Sequence, residues 1–242
     1  MAILMGTNTM FAQIELSQSR IVTIGDLRFG FGRIQRNFER MSTSTLAEDS
    51  HSPFGTPARV LTTERTVLRQ WRPEDLPLFA ALNADRDVMR HFPTTLDRTQ
   101  SDAIAHRLAQ HIETHGYGPW VLEIPGVTPF AGFVGLMRVG FDAPFAPAVE
   151  IGWRLARAWW SKGYATEAAF AAAHFAFETL GLEALVSFTV PANVRSRAVM
   201  ERIGMRHCPD EDFLHPLIPA GHRMRRHVLY RLNADELAAN QR

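Results

Sequence analysis

The sequence predicts a mixed α/β domain. Three observations carry this. Short apolar runs of strand type alternate with helix-spaced apolar faces from about Val60 onward. Proline, glycine and acidic residues punctuate these segments at their ends. Near the C-terminus one helical segment falls between two strand-like runs.

Residues 67–71 (Val-Leu-Arg-Gln-Trp) read as a strand, and Arg72-Pro73-Glu74-Asp75 opens a helix with proline and acids in its first turn. Leu76, Phe79, Ala80 and Leu82 give that helix its apolar face. A short helix over residues 87–91 stops before Pro93. Asp97 or Thr99 caps a longer one over 100–115, apolar along Ile104, Leu108 and Ile112 and ended by Gly116. Strands are expected over 120–124, 131–139 and 148–155. A helix follows over 164–180, closed by Gly181, then a strand over 184–190. A helix over 194–203 is closed by Gly204, and a last strand, 227–232, precedes a polar tail.

Two domains of unequal kind are expected. Residues 42–58 are rich in Ser, Thr, Pro and Gly and have little to bury, so they read as a linker. Residues 1–40 hold five of the eleven isoleucines, two alanines and no histidine, unlike the rest. Residues 1–58 are therefore expected to be a flexible appendage, with Met41 a candidate start, and residues 59–242 the folded domain.

Composition narrows the function. The chain has 26 basic and 25 acidic residues for a net charge of +1, which argues against a protein working through a broad basic surface on nucleic acid. An apolar fraction of 46% excludes disorder throughout. No apolar run reaches the roughly 18 residues a membrane span needs, and no secretory leader is recognised. With Cys208 alone there is no internal disulfide, so a cytoplasmic setting is expected.

The stretch with most chemistry runs Val149-Glu150-Ile151-Gly152-Trp153-Arg154-Leu155, then Trp159-Trp160-Ser161-Lys162-Gly163-Tyr164-Ala165-Thr166-Glu167. A strand ends, a glycine turn follows and a helix begins at once. Its first N–H groups lack intrahelical partners and sit at the positive end of the helix dipole, a place suited to a pyrophosphate. Gly163 permits close approach, Ala165 keeps the helix start uncrowded, Lys162 adds a cation, and Ser161 and Thr166 offer hydroxyls. By spacing alone this could equally be a helix start that merely turns the chain.

Thirty residues on stands Asn193-Val194-Arg195-Ser196, in a helix that ends in Gly204-Met205. With the glycine loop and the opening Leu68-Arg69-Gln70-Trp71-Arg72-Pro73-Glu74-Asp75, the chain resembles the GCN5-related N-acetyltransferase (GNAT) superfamily. Within it, the likeness is to the branch of ribosomal-protein N-terminal acetyltransferases of RimJ/RimL type. The resemblance spans about residues 60–232. It implies a strongly twisted mixed sheet with splayed central strands flanked by helices, and acetyl-CoA in the gap. It further implies coenzyme contacts from Ile151, Gly152, Trp153, Trp160, Ser161, Lys162, Gly163, Tyr164, Ala165, Thr166, Asn193 and Ser196. Two positions depart from the superfamily pattern. Trp160 stands where Gln or Arg is usual, as it does in this branch, and Met200 stands where many members carry a tyrosine acid.

Acetyl transfer to an amine needs a base, a stabilised acyl oxygen and a protonated leaving thiolate. Glu150, on the strand feeding the loop, is the expected base; a salt-bridge partner or substrate anchor is the plainer reading. Ser196 is expected to hydrogen-bond or protonate the thiolate, with water or Tyr230 as substitutes, though a first-turn helix hydroxyl needs no such role. Asn193 positions coenzyme and helix, or is only an N-cap. A backbone N–H near 151–153 would meet the acyl oxygen. Cys208 is not expected to act covalently. His111 and His115 lie four apart but lack a third ligand, so no metal is expected. The loop 215–227 is expected to border the acceptor pocket.

The first functional reading is thus an N-acetyltransferase using acetyl-CoA by direct transfer to an amine acceptor, a protein N-terminus or a small amine. The second is a non-catalytic acyl-CoA sensor on the same fold; Glu150, Asn193 and Ser196 favour the enzyme. A homodimer is left open.

Overall fold

The computed structural model describes residues 59–239. The expected appendage of residues 1–58 and the candidate start at Met41 lie outside the described residues.

A hairpin of β1 (Leu61–Thr62) and β2 (Val67–Arg69) starts the sheet. It continues with β3 (Pro119–Ile124), β4 (Thr128–Arg138), β5 (Val149–Leu155), β6 (Ala184–Thr189), β7 (Arg206–His207), β8 (Phe213–Leu214) and β9 (Arg226–Asn233). The spatial order is β1-β2-β3-β4-β5-β6-β9-β7, with β8 on β9. Every neighbouring pair is antiparallel except β5 and β6. Helices α1 (Asp75–Ala84), α2 (Arg98–His115), α3 (Tyr164–His174), α4 (Val194–Arg202) and α5 (Ala234–Ala239) flank this sheet.

The parallel pair is where the fold makes room. β4 and β5 run in register from Gly132↔Leu155 to Arg138↔Val149, and β6 and β9 from Ala184↔Asn233 to Thr189↔Val228. β5 and β6 meet in register at one pair, Glu150↔Val186. Beyond it, the β5 peptide groups that point away from β4 have no strand opposite them. The central strands thus splay as the resemblance implies.

Each helix has a local cause. α2 starts with a capping box: Asp97 accepts from the Gln100 N–H at 2.8 Å and the Gln100 side chain accepts from the Asp97 N–H at 3.0 Å. Gly116 closes it with a left-handed φ of 73°. α3 buries Ala168, Ala169, Ala172 and Ala173, whose small side chains let it lie close on β4 and β5. The helix expected to reach residue 180 leaves α geometry at His174 and finishes as a π turn, Phe175–Thr179. That turn buries Phe175 edge-on against Trp120, ring centroids 5.5 Å apart.

The motif Leu68-Arg69-Gln70-Trp71-Arg72-Pro73-Glu74-Asp75 builds the core. Trp71 is fully buried among Phe79, Phe130 and Phe133, with its indole N–H donating to the Pro119 carbonyl at 2.8 Å. Arg69, also buried, has an acceptor for each of its five N–H donors. They are Glu123 at 2.6 Å, Asp75 at 2.8 and 2.9 Å, and the carbonyls of Gln70 at 3.0 Å and Pro129 at 2.6 Å. Asp75 in turn accepts from the Arg72 N–H at 2.7 Å, fixing the entry to α1. The polar tail expected after the last strand is instead the short helix α5, with Asp235 and Glu236 in its first turn.

Candidate active site

The gap between β5 and β6 opens into a cleft of about 1110 Å³. Its walls include Glu150, Gly152 and Trp153 from β5, Thr189 from β6, and the start of α4 at Asn193 and Ser196. Trp160, Ser161, Gly163, Tyr164, Ala165 and Thr166 line its far end. Two of the expected coenzyme residues stand apart. Ile151 is fully buried in the core, and Lys162 packs its ammonium over the Trp159 ring, 4.8 Å from the centroid, outside the cleft lining.

At the far end the backbone bends sharply into α3. Ser161 and Gly163 both take left-handed φ values, 59° and 85°. Gly163 is the N-cap of α3 and offers no side chain to the first N–H groups of that helix, which stay open to a ligand. Glycine suits that φ, whereas for Ser161 it costs about 1 kcal/mol. Trp160 is anchored by its indole N–H to the Leu155 carbonyl at 2.8 Å, and Arg195 lies over its ring at 4.8 Å.

Glu150 is 5% exposed, and its Oε2 has no hydrogen-bond partner among the described residues. Burial pushes its pKa up to about 8. With a pKa of about 8, the ionised form that can accept a proton becomes the larger fraction only as pH rises past that value.

Asn193 does more than cap. Its Oδ1 accepts from the Ser196 N–H at 3.3 Å, which fixes the amide orientation. Its NH₂ then donates to Thr189 Oγ1 at 2.9 Å and Ser196 Oγ at 3.0 Å. Both hydroxyls spend a lone pair on the amide and keep their own proton for another acceptor. Thr189 was not singled out by sequence; a threonine at a strand end carries no signal of its own. Arg154 was missed as well. It lies on the same face of β5 as Glu150 and Gly152, lines the cleft, donates to Asn83 Oδ1 at 2.6 Å and sits 3.9 Å over the Phe92 ring. Burial lowers its pKa to about 9. The alternation along β5 was the available clue.

Two expectations are corrected. Tyr230 does not reach the cleft. Its buried hydroxyl accepts from Arg197 Nε and donates to Glu201 Oε1, both at 3.0 Å. The loop 215–227 contributes no residue to the cleft lining. Its two end histidines turn inward: His215 and His227 lie 5.1 Å apart, His215 packs 4.7 Å from Phe141, and burial lowers their pKa values to about 3 and about 4. It touches the cleft from behind: His227 lies 6.1 Å from the ring of the lining residue Phe188, and the charge of Arg223, after burial and Arg90, helps hold the lining residue His91 below the usual imidazole range. Trp153, Trp159 and Trp160 all line the cleft, and each also packs against the core.

Cys208 lies outside the cleft lining, its thiol held above the usual range by burial and by Glu211. His111 and His115 stack at 4.2 Å, and His115 Nδ1 is 3.0 Å from the His111 carbonyl. No cluster of three or more potential metal ligands occurs among the described residues. Nor is any helix among them long and apolar enough to cross a membrane.

Known proteins show the same architecture. The Bacillus subtilis protein YnaD, an uncharacterized N-acetyltransferase, is 28% identical over 165 residues, covering 66% of this chain and 89% of YnaD. An acetyltransferase structure from Agrobacterium tumefaciens is 29% identical with a TM-score of 0.58, covering 73% of this chain and 95% of that one. Mycobacterium smegmatis RimJ, solved in complex with CoA-disulfide, shares the fold at 22% identity and a TM-score of 0.56, covering 71% of this chain and 83% of RimJ. The family profile described as "Acetyltransferase (GNAT) domain" matches residues 65–206, more than half of the sequence, and the chain belongs to the GNAT acetyltransferase family.

Proposed function

We propose that the protein is an N-acetyltransferase that uses acetyl-CoA and transfers acetyl directly to a primary amine, a protein N-terminus or a small amine, in a ternary complex. The observation that carries this is Glu150, a buried carboxyl with an unpartnered oxygen at the one residue pair where β5 and β6 are in register. Its burial in the cleft wall and its raised pKa fit a base for an acceptor ammonium.

The residues present fit the donor. The uncapped start of α3 suits a diphosphate, and a cleft of about 1110 Å³ opens from it towards Glu150. Acetyl-CoA, when bound, supplies an activated thioester and a thiol leaving group. Residues 160–166 would hold its diphosphate, and Asn193 would fix the start of α4 beside it. Glu150 removes the proton that leaves an amine without a lone pair. Backbone N–H groups of β5 past Glu150 meet the negative charge developing on the acyl oxygen. Ser196 and Thr189, oriented by Asn193, donate hydrogen bonds to the departing sulfur. The chemistry resides in residues 59–242, and the opening motif with the Asn-x-x-Ser helix favours the RimJ/RimL-type branch. The lone cysteine favours a cytoplasmic setting.

The test is a thiol-release assay with acetyl-CoA against peptides of varied N-terminal residue and a set of small amines. Amine-dependent release is expected. Binding of acetyl-CoA by calorimetry with no release for any amine would instead support the sensor reading.

A further inference from the structure

Glu167 poses an electrostatic problem for an anion cradle. It occupies the first turn of α3, where its carboxylate faces the end of the cleft intended for a diphosphate. Left alone, it would raise the energy of any phosphate bound there, since like charges a few ångströms apart repel strongly away from bulk water.

The remedy comes from far away in sequence. The hairpin loop 63–66, between β1 and β2, lays Arg65 against this turn. Arg65 Nε donates to Glu167 Oε2 at 2.7 Å, while the Arg65 backbone N–H and Thr63 Oγ1 donate to Oε1 at 2.8 and 2.6 Å. Arg65 Nη1 also donates to the Lys162 carbonyl at 3.2 Å, within the cradle itself, and its guanidinium lies 5.1 Å from the Tyr164 ring centroid. Against the upward push of burial, the bonds from Thr63 and Arg65 hold the Glu167 carboxyl below its usual range, so it is ionised when a phosphate arrives. Arg65 lines the cleft and is 46% exposed, leaving an edge of its cation available.

We propose that Arg65 is a positioning residue for the donor's diphosphate: it cancels the Glu167 carboxylate at the α3 start and ties the Lys162 carbonyl so that the Ser161–Gly163 turn keeps its N–H groups aimed at the anion. This rests on the donor site proposed above. Arg65 is the exposed member of the pair, so its ion pair adds little to stability and its charge is free to act on a ligand.

Calorimetry of coenzyme A binding to the full chain separates the two ideas. If the wild type does not bind coenzyme A, the donor site itself is wrong. If it binds, Arg65→Gln should weaken binding about tenfold, at the scale of a charged hydrogen-bonding partner lost beside an anion, and raise KM for acetyl-CoA while kcat changes little. Adding Glu167→Gln to Arg65→Gln should restore most of the affinity. Glu167→Gln alone should bind coenzyme A as tightly as wild type or tighter, which serves should Arg65→Gln fail to fold. The loss should largely vanish with S-acetyl-pantetheine, which lacks the diphosphate. Unchanged affinity in Arg65→Gln, or weaker binding in Glu167→Gln, overturns the proposal while the donor site stands.

Discussion

Arg69 on β2 and Glu150 on β5 are both charged residues sealed into the same sheet, 4% and 5% exposed. Arg69 meets two carboxylates and two carbonyls, with no donor left over. Glu150 keeps an oxygen with no partner, and burial alone lifts its pKa to about 8. Nothing about residue type separates the two. What separates them is whether the fold supplies partners: Arg69 ends β2 within reach of Glu123, Asp75 and two carbonyls, whereas Glu150 sits at the single in-register pair of β5 and β6 with an oxygen unmet. A satisfied buried charge specifies structure, whereas an ionisable group left unsatisfied at the edge of a cleft is a candidate for chemistry.

Breaking the saturated side should cost most. Arg69→Ala leaves Asp75 buried and uncompensated, and should destabilise the fold by about 3–5 kcal/mol. Urea denaturation measures it, and turnover per folded molecule should survive. Loss of turnover with stability intact would erase the contrast. Glu150→Gln should do the reverse, cutting kcat/KM about a hundredfold at neutral pH. For the wild type, kcat/KM should rise with pH towards about 8 and level off, and the variant should lose that limb. Stability carries the opposite sign. A carboxyl whose pKa is raised from 4.5 to about 8 on folding binds its proton more tightly in the native state. Its stabilisation is complete below 4.5 and is lost as pH climbs to about 8, so Glu150→Gln should melt higher than wild type at pH 8. Ser196→Ala sharpens the comparison least: with Thr189 still donating, a drop of about tenfold or less in kcat is expected, and the Ser196→Ala/Thr189→Val pair should exceed the product of the singles.

Much of this was legible in the chain. Pro73, the acids after it, Asp97, Gly116, Gly163 and Gly204 set helix ends by local chemistry, and the structure keeps each helix near them. The α3 start and Asn193 were visible because the glycine loop and the Asn-x-x-Ser helix occur together, as in the family the chain resembles; the spacing of the loop alone did not decide it. Other features depend on meetings between distant residues. The two-residue strands β1, β7 and β8 exist only through their partners. The left-handed Ser161 breaks the rule that reserves such backbone for glycine. Arg154 finds Asn83 across 71 positions, and Arg65 finds Glu167 across 102. Tyr230 looked available until Arg197 and Glu201 proved to hold it.

One feature of the sheet reaches beyond catalysis. β5 and β6 pair in register at Glu150↔Val186 alone, so the two half-sheets are joined along that seam mainly by a shared core that includes Ile151, Leu185 and Leu232. Any ligand that spans the seam and binds the folded chain alone would act as a keystone, adding to that joint in proportion to its affinity and concentration.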